Sequence, residues 1–134
     1  MTSFLLDTNA FIWAMTRPEK LGKRTHANLV DQQNNVYVSA LSVLEIQLKI
    51  RTGKLKEVPL EQIYQVLKDN NIQELPYDFW AGLAIAKLPA LSWNDPFDAA
   101  LMAQAMAKHL TLVTPDHNIL TSNITGLKTV DARK

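Results

Sequence analysis

Four carboxylates in this chain stand where a surface charge has no obvious reason to be. Asp7 follows the apolar run Phe4-Leu5-Leu6, and Asp116 follows Leu112-Val113-Thr114-Pro115. Glu45 shares a helical stripe with Leu41, Leu44 and Leu48, while Asp98 heads one with Leu101, Met102 and Ala105. A buried carboxylate without a partner costs several kcal/mol, and like charges held close raise one another's pKa values. A hard divalent cation such as Mg2+ or Mn2+ removes both penalties, because it takes carboxylate and water oxygens as ligands. Four acids from distant stretches, converging on one point, would hold such an ion.

Each acid also has a local explanation. Asp7 can cap the helix carrying Ala10-Phe11-Ile12, although Thr8 or Asn9 could cap instead and leave the carboxylate free. Ser42-Val43-Leu44-Glu45 matches a capping box, and Lys49 lies four residues on, the favourable order for a helical ion pair. Asp95-Pro96 opens a helix with Asp95 as cap and Pro96 in the first position, and Asp98 then suits the positive end of the helix dipole. Asp116 lies in Thr114-Pro115-Asp116-His117-Asn118, where aspartate is common turn chemistry. His26, His109 and His117 have no metal-ligand spacing to one another. Any one of these explanations is ordinary; needing all four is what points to a shared site.

The elements that must position these acids alternate in type. Strand patterns cover Ser3–Leu6, Val36–Ser39, Ile72–Leu75, Thr111–Thr114 and Lys128–Val130. Helical periodicity covers Asn9–Met15, Glu19–Gln33, Ser42–Thr52, Leu60–Asn70, Asp78–Lys87 and Pro96–His109. Gly53 is placed as a helix C-cap, and Pro59 and Pro89 punctuate the connections. Alternation of this kind predicts an α/β fold with a mainly parallel sheet. In such sheets ligands bind beyond the carboxyl ends of the strands, where strand order reverses. If the first and fourth strands are neighbours there, Asp7 and Asp116 share one rim.

Composition sets outer limits. The 134 residues suit one domain with a real core, spanning 1–134, with no repeat, linker or appended domain expected. Apolar residues make up 47% and charged ones 20%, far from a disordered composition, and a net charge of +1 does not by itself announce a nucleic-acid binder. The absence of cysteine excludes disulfides, thiolate zinc sites and cysteine nucleophiles. Asp7 interrupts the stretch where a signal peptide needs its apolar region, and no apolar run approaches the roughly 18 residues of a spanning helix. A cytoplasmic domain with no membrane association is expected.

The motifs in order resemble those of PIN-domain ribonucleases. They are Leu5-Leu6-Asp7-Thr8-Asn9, Val38-Ser39-Ala40-Leu41-Ser42-Val43-Leu44-Glu45-Ile46, Leu88-Pro89, Asn94-Asp95-Pro96-Phe97-Asp98 and Leu112-Val113-Thr114-Pro115-Asp116. Across essentially the whole chain the series is most similar to the VapC-type toxins of toxin–antitoxin pairs. The resemblance implies a PIN-like three-layer α/β/α fold with a central parallel sheet of about five strands. It also implies a Mg2+- or Mn2+-dependent endoribonuclease, a cognate antitoxin and a homodimer. The family's acids fall on Asp7, Glu45, Asp98 and Asp116, its small polar residue before the last acid on Thr114, and the one after the first strand on Thr8 or Asn9. Relatives usually continue the Asp-Pro-Phe-Asp segment with Arg, where this chain has Ala99. They often precede it with His-Arg, where Trp93-Asn94 stand.

An RNA substrate needs cations outside an acidic centre. The candidate RNA contacts are Lys49, Arg51, Lys54 and Lys56 at the end of the Glu45 helix, with Arg17, Lys20, Lys23 and Arg24 as a second basic stretch; solvated polar faces are the plain alternative. Trp13, Trp80 and Trp93 are candidates for base stacking or for packing. Phe11, Ile12 and Trp13 are candidates for an antitoxin groove. A haloacid-dehalogenase phosphatase needs a second Asp where Asn9 stands, and a phosphoacceptor receiver needs adjacent acids where Thr8 follows Asp7. An inactive binding module or a solitary PIN nuclease in RNA processing remain the alternatives.

Overall fold

Phe4, Leu5 and Leu6 are all buried, and they alternate sides of one strand. Phe4 and Leu6 pack with Phe11, Val36, Val38 and Ile46, while Leu5 packs with Leu101, Met102, Leu112 and Ile119. Cover on both faces explains why this strand reads as a continuous apolar run instead of an alternating one. Each such side chain, fully buried, contributes roughly 1.5–3 kcal/mol.

The computed structural model describes residues 1–56, 58–89 and 95–134, so Trp93 and Asn94 lie outside the described residues. Its strands are β1 (Ser3–Leu6), β2 (Asn35–Ser39), β3 (Ile72–Leu75), β4 (Thr111–Thr114) and β5 (Lys128–Asp131). They form one parallel sheet in the order β3-β2-β1-β4-β5. Order reverses between β1 and β4, which pair with Leu5 opposite Leu112 and Leu6 opposite Val113. Among the described residues the helices are α1 (Thr8–Thr16), α2 (Lys23–Val30), α3 (Ala40–Arg51), α4 (Ile63–Asp69), α5 (Phe79–Leu83), α6 (Pro96–Ala107) and α7 (His117–Leu120). The result is the three-layer α/β/α arrangement expected from the sequence. No helix among the described residues is long and apolar enough to cross a membrane.

Local expectations change at several points, and the helices expected over Leu60–Asn70 and Asp78–Lys87 are each divided between a 3-10 turn (Leu60–Gln62 and Ala84–Lys87) and an α-helix. The single helix expected over Glu19–Gln33 is a short 3-10 turn, Pro18–Lys20, followed by α2. The break falls at Leu21-Gly22 because the chain near the other end packs there. Gly22 N–H donates to the Ala132 carbonyl at 2.9 Å, and a Cβ on Gly22 would come within 2.2 Å of the Lys134 carbonyl carbon. Only glycine permits that approach. The capping box at Ser42–Glu45 is not used: Ser39 caps α3 by accepting from Leu41 N–H, and Ser42 lies buried inside the helix. The four residues of α7 have too short a pattern to show periodicity. Gly53, at φ +75°, stands just beyond the α3 cap, in the left-handed conformation that ends helices.

Candidate metal centre at the strand switch point

The turn from β1 into α1 places Asp7 at the carboxyl edge of the sheet, its N–H continuing the ladder to the Val113 carbonyl at 2.9 Å. Asp7 does cap α1, with Oδ1 accepting from Ala10 N–H at 2.7 Å. Capping occupies one oxygen only. The other, Oδ2, accepts from the Thr114 hydroxyl at 2.5 Å, across the β1–β4 switch. Asp7 is 3% exposed. Burial lifts its carboxyl to about 6 against the pull of these two hydrogen bonds, and the charges of Glu45 and Asp116 push the same way as burial.

Thr114 also arranges its own neighbour. Its Oγ1 accepts from Asp116 N–H at 3.0 Å, and Asp116 caps α7 by accepting from Ile119 N–H at 3.1 Å. A single hydroxyl thus fixes one acid directly and a second through the backbone.

Glu45 comes in from α3 as a buried side chain. Thr8 Oγ1 lies 2.5 Å from Glu45 Oε1 and 3.0 Å from Ser42 Oγ. Having one proton, Thr8 gives it to the charged acceptor, and the Ser42 hydroxyl supplies the proton of the second contact. Lys49 Nζ takes the other oxygen, Oε2, at 2.6 Å. Ser42 touches this candidate site although the sequence offered it as a cap; its place three residues before Glu45 puts both on one buried helix face, whereas Leu44 and Leu48 of the expected stripe are exposed.

Asp98 sits in the first turn of α6, behind the cap Asp95, whose Oδ1 accepts from Phe97 N–H at 2.9 Å and Asp98 N–H at 3.3 Å. Its stripe mates Leu101, Met102 and Ala105 are buried as expected. Among the described residues no donor reaches the Asp98 carboxylate. Burial raises it to about 7, with Asp95, Asp116, Asp7 and Glu45 adding repulsion in that order. The four predicted acids therefore act on one another electrostatically, although among the described residues no three of them close round a single point. An all-oxygen set that strains two of its own carboxyls toward neutrality fits a hard divalent cation by its chemistry.

The remaining expected residues are placed unequally. Thr8 and Thr114 touch the acids; Asn9 is exposed, and among the described residues its side chain makes no hydrogen bond. Arg51, the last residue of α3, and Lys54 and Lys56 beyond it are exposed, and Lys49 is the one cation paired with a rim acid among the described residues. Ala99 is buried. Trp80 is exposed beside Phe79, and Trp13 is half-buried under Lys20 Nζ, which is 5.4 Å from its ring centroid. Phe11 is fully buried and lines a cavity of about 480 Å3 with Val43, Tyr64, Leu67 and Leu75, whereas Ile12 and Trp13 do not line it.

Compared with known protein families, residues 4–122 match the PIN domain. The chain belongs to the PIN domain family. No curated protein sequence matches it. Among solved structures this PIN domain is similar to VapBC2 from Rickettsia felis bound to a promoter DNA fragment, at 17% identity and a TM-score of 0.68, covering 97% of this chain and 98% of that one. DNA-bound VapBC from Salmonella typhimurium is similar at 20% identity and 0.63, covering 98% of each chain. FitAcB from Neisseria gonorrhoeae is similar at 20% and 0.62, covering 96% of this chain and 97% of that one. At these identities the likeness is one of fold.

Proposed function

We propose that this PIN domain, as a single functional unit over residues 1–134, is a divalent-cation-dependent endoribonuclease and the toxin of a toxin–antitoxin pair. The observation that carries the nuclease part is the pair Asp7 and Asp98, lifted to about 6 and about 7 at the switch point beside Glu45 and Asp116. Acids in that condition are ready to give up protons to a cation of higher charge.

Asp98 and Asp7 would hold Mg2+ or Mn2+, with Glu45 and Asp116 completing or orienting its shell. When bound, such an ion polarises the scissile phosphate and lowers the pKa of a coordinated water. The protein's own part is orientation. Thr114 fixes Asp7 Oδ2, Ala10 N–H fixes Oδ1, and Thr8 fixes Glu45 Oε1. Asp98, with no donor of its own among the described residues, is free to turn toward an ion or to take a proton at its carboxylate. In-line attack of water on the phosphorus would break the P–O3′ bond and leave a 5′-phosphate and a 3′-hydroxyl, the outcome the family resemblance implies. Arg51, Lys54 and Lys56 supply exposed cations for the RNA backbone outside the acidic centre.

The toxin part is supported by likeness to the VapBC and FitAcB chains. The partner is a cognate antitoxin whose basic side chain or peptide blocks the acid rim while apolar residues enter the cavity over Phe11, Leu67 and Leu75. The working form is a cytoplasmic homodimer. Single-stranded RNA incubated with Mn2+ or Mg2+ tests the nuclease: wild type cleaves, EDTA stops it, and Asp7→Asn and Asp98→Asn do not cleave. Equal cleavage by all three proteins, or indifference to EDTA, defeats the proposal. Growth arrest relieved by co-expressing an adjacent small reading frame tests the toxin role separately.

A further inference from the structure

Lys49 reaches the acid rim from one turn further along α3, and its two environments differ. The Glu45 side chain is 4% exposed, that of Lys49 38%. Glu45 Oε1 is held by Thr8, so the carboxylate is fixed from behind, while Oε2 meets the ammonium at 2.6 Å. Burial alone would pull the Lys49 ammonium toward neutrality; the hydrogen bond and charge of Glu45, with the charges of Asp95 and Asp98 at the start of α6, push it the other way. The cation thus faces acids of both α3 and α6 on one side and water on the other.

A divalent ion that uses Glu45 meets this ammonium directly. Two positive charges against one carboxylate repel strongly where water is partly excluded. Thr8 prevents the carboxylate from yielding, so the flexible partner must move: lysine has a four-carbon stem, three donors and an open mouth to move into.

We propose that Lys49 is a built-in counter-cation that shares Glu45 with the divalent ion. It holds Oε2 in the cation-free protein, is released when the ion takes that oxygen, and then offers its ammonium to a non-bridging phosphate oxygen of the RNA. This role depends on the metal-nuclease function proposed above and adds to it a competitor for the ion and a ligand for the substrate on one side chain. A lysine serving only as a helical i,i+4 pair would not strengthen RNA binding.

The test is Mn2+ affinity by calorimetry without RNA, for wild type, Lys49→Met, Lys49→Arg, Glu45→Gln and the Glu45→Gln/Lys49→Met pair. Methionine keeps the apolar stem and the helix propensity, so the variant folds. Lys49→Met is expected to bind Mn2+ on the order of tenfold more tightly, the scale of an ordinary coupling between two ligands. Lys49→Arg stays near wild type, and in the Glu45→Gln background the gain largely disappears. At saturating Mn2+, Lys49→Met raises KM for single-stranded RNA severalfold and Lys49→Arg restores it. Unchanged or weaker Mn2+ binding by Lys49→Met overturns the counter-cation role, and an unchanged KM overturns the phosphate role. If wild type shows no Mn2+ binding that Asp7→Asn and Asp98→Asn weaken, the metal-nuclease function itself fails instead.

Discussion

Asp7 and Asp78 perform the same local task in two very different places. Each caps a helix by accepting from the N–H three residues on, Ala10 at 2.7 Å and Ala81 at 2.9 Å. Asp78 is exposed at the start of α5, among the exposed aromatics Phe79 and Trp80. Asp7 is buried, shares a hydroxyl with β4, and faces Glu45 and Asp116. Capping therefore accounts for an aspartate at a helix start and leaves its burial unexplained. The excess burial at Asp7 marks the site.

The sharpest break between the two regions is catalytic. Asp7→Asn and Asp98→Asn should lower cation-dependent RNA cleavage by more than about 100-fold, beyond the range seen on losing a mere support of a metal ligand. Asp78→Asn should stay within about twofold, because its loss is confined to a cap. A comparable loss at Asp78 would dissolve the distinction.

Stability should move the opposite way. In EDTA at pH 8, Asp7→Asn keeps an acceptor for Ala10 N–H and removes a buried charge, and is expected to stabilise the protein by up to about 3 kcal/mol, from a carboxyl raised from 3.8 to about 6. For such a group the folded state holds its proton more tightly than the unfolded one. The cation-free wild type should therefore lose stability as pH rises from about 4 through about 6 for Asp7, and on to about 7 for Asp98. Urea midpoints across that window check the slope, which should flatten in Asp7→Asn and on adding Mn2+ to wild type. A wild-type midpoint that climbs through the window relative to Asp7→Asn would contradict the burial effect.

Smaller effects refine the picture. Thr8→Val leaves Glu45 Oε1 without its hydroxyl donor, and Thr114→Val does the same to Asp7 Oδ2. Each should lower cleavage about 10-fold to 100-fold with the acids intact. Asp78→Ala should cost about 1 kcal/mol in thermal or urea unfolding and nothing in cleavage.

Much of this was legible from residue order. The boundaries of β1 and β4 agree with their apolar runs, because strands covered on both faces are written as uninterrupted hydrophobic stretches; β3, Ile72-Gln73-Glu74-Leu75, keeps its expected bounds without such a run. Asp7, Asp98 and Asp116 stood out for the same reason, each beside an apolar pattern it does not belong to, whereas Glu45 is buried with Ser42 and Ile46 and the Leu44 and Leu48 of its expected stripe are exposed. What was not legible depends on partners far along the chain. Ser42-Val43-Leu44-Glu45 satisfies a capping box locally, but α3 starts earlier because β2 ends at Ser39, a boundary set by pairing with β1 and β3. The break at Gly22 is likewise set by Ala132 and Lys134, more than a hundred positions away in the sequence.

The hydrogen bond from Thr114 to Asp7 joins residues 107 positions apart. β1 is the first strand to be synthesised, and its inner neighbour β4 is the fourth. A growing chain therefore carries Asp7 and Glu45 long before it has the strand that supplies Thr114 and Asp116. Pairings between such distant segments form late, since the loop between them must close first. The convergence of Asp7 with Thr114 and Asp116 therefore waits on β4, after most of the preceding chain has been made.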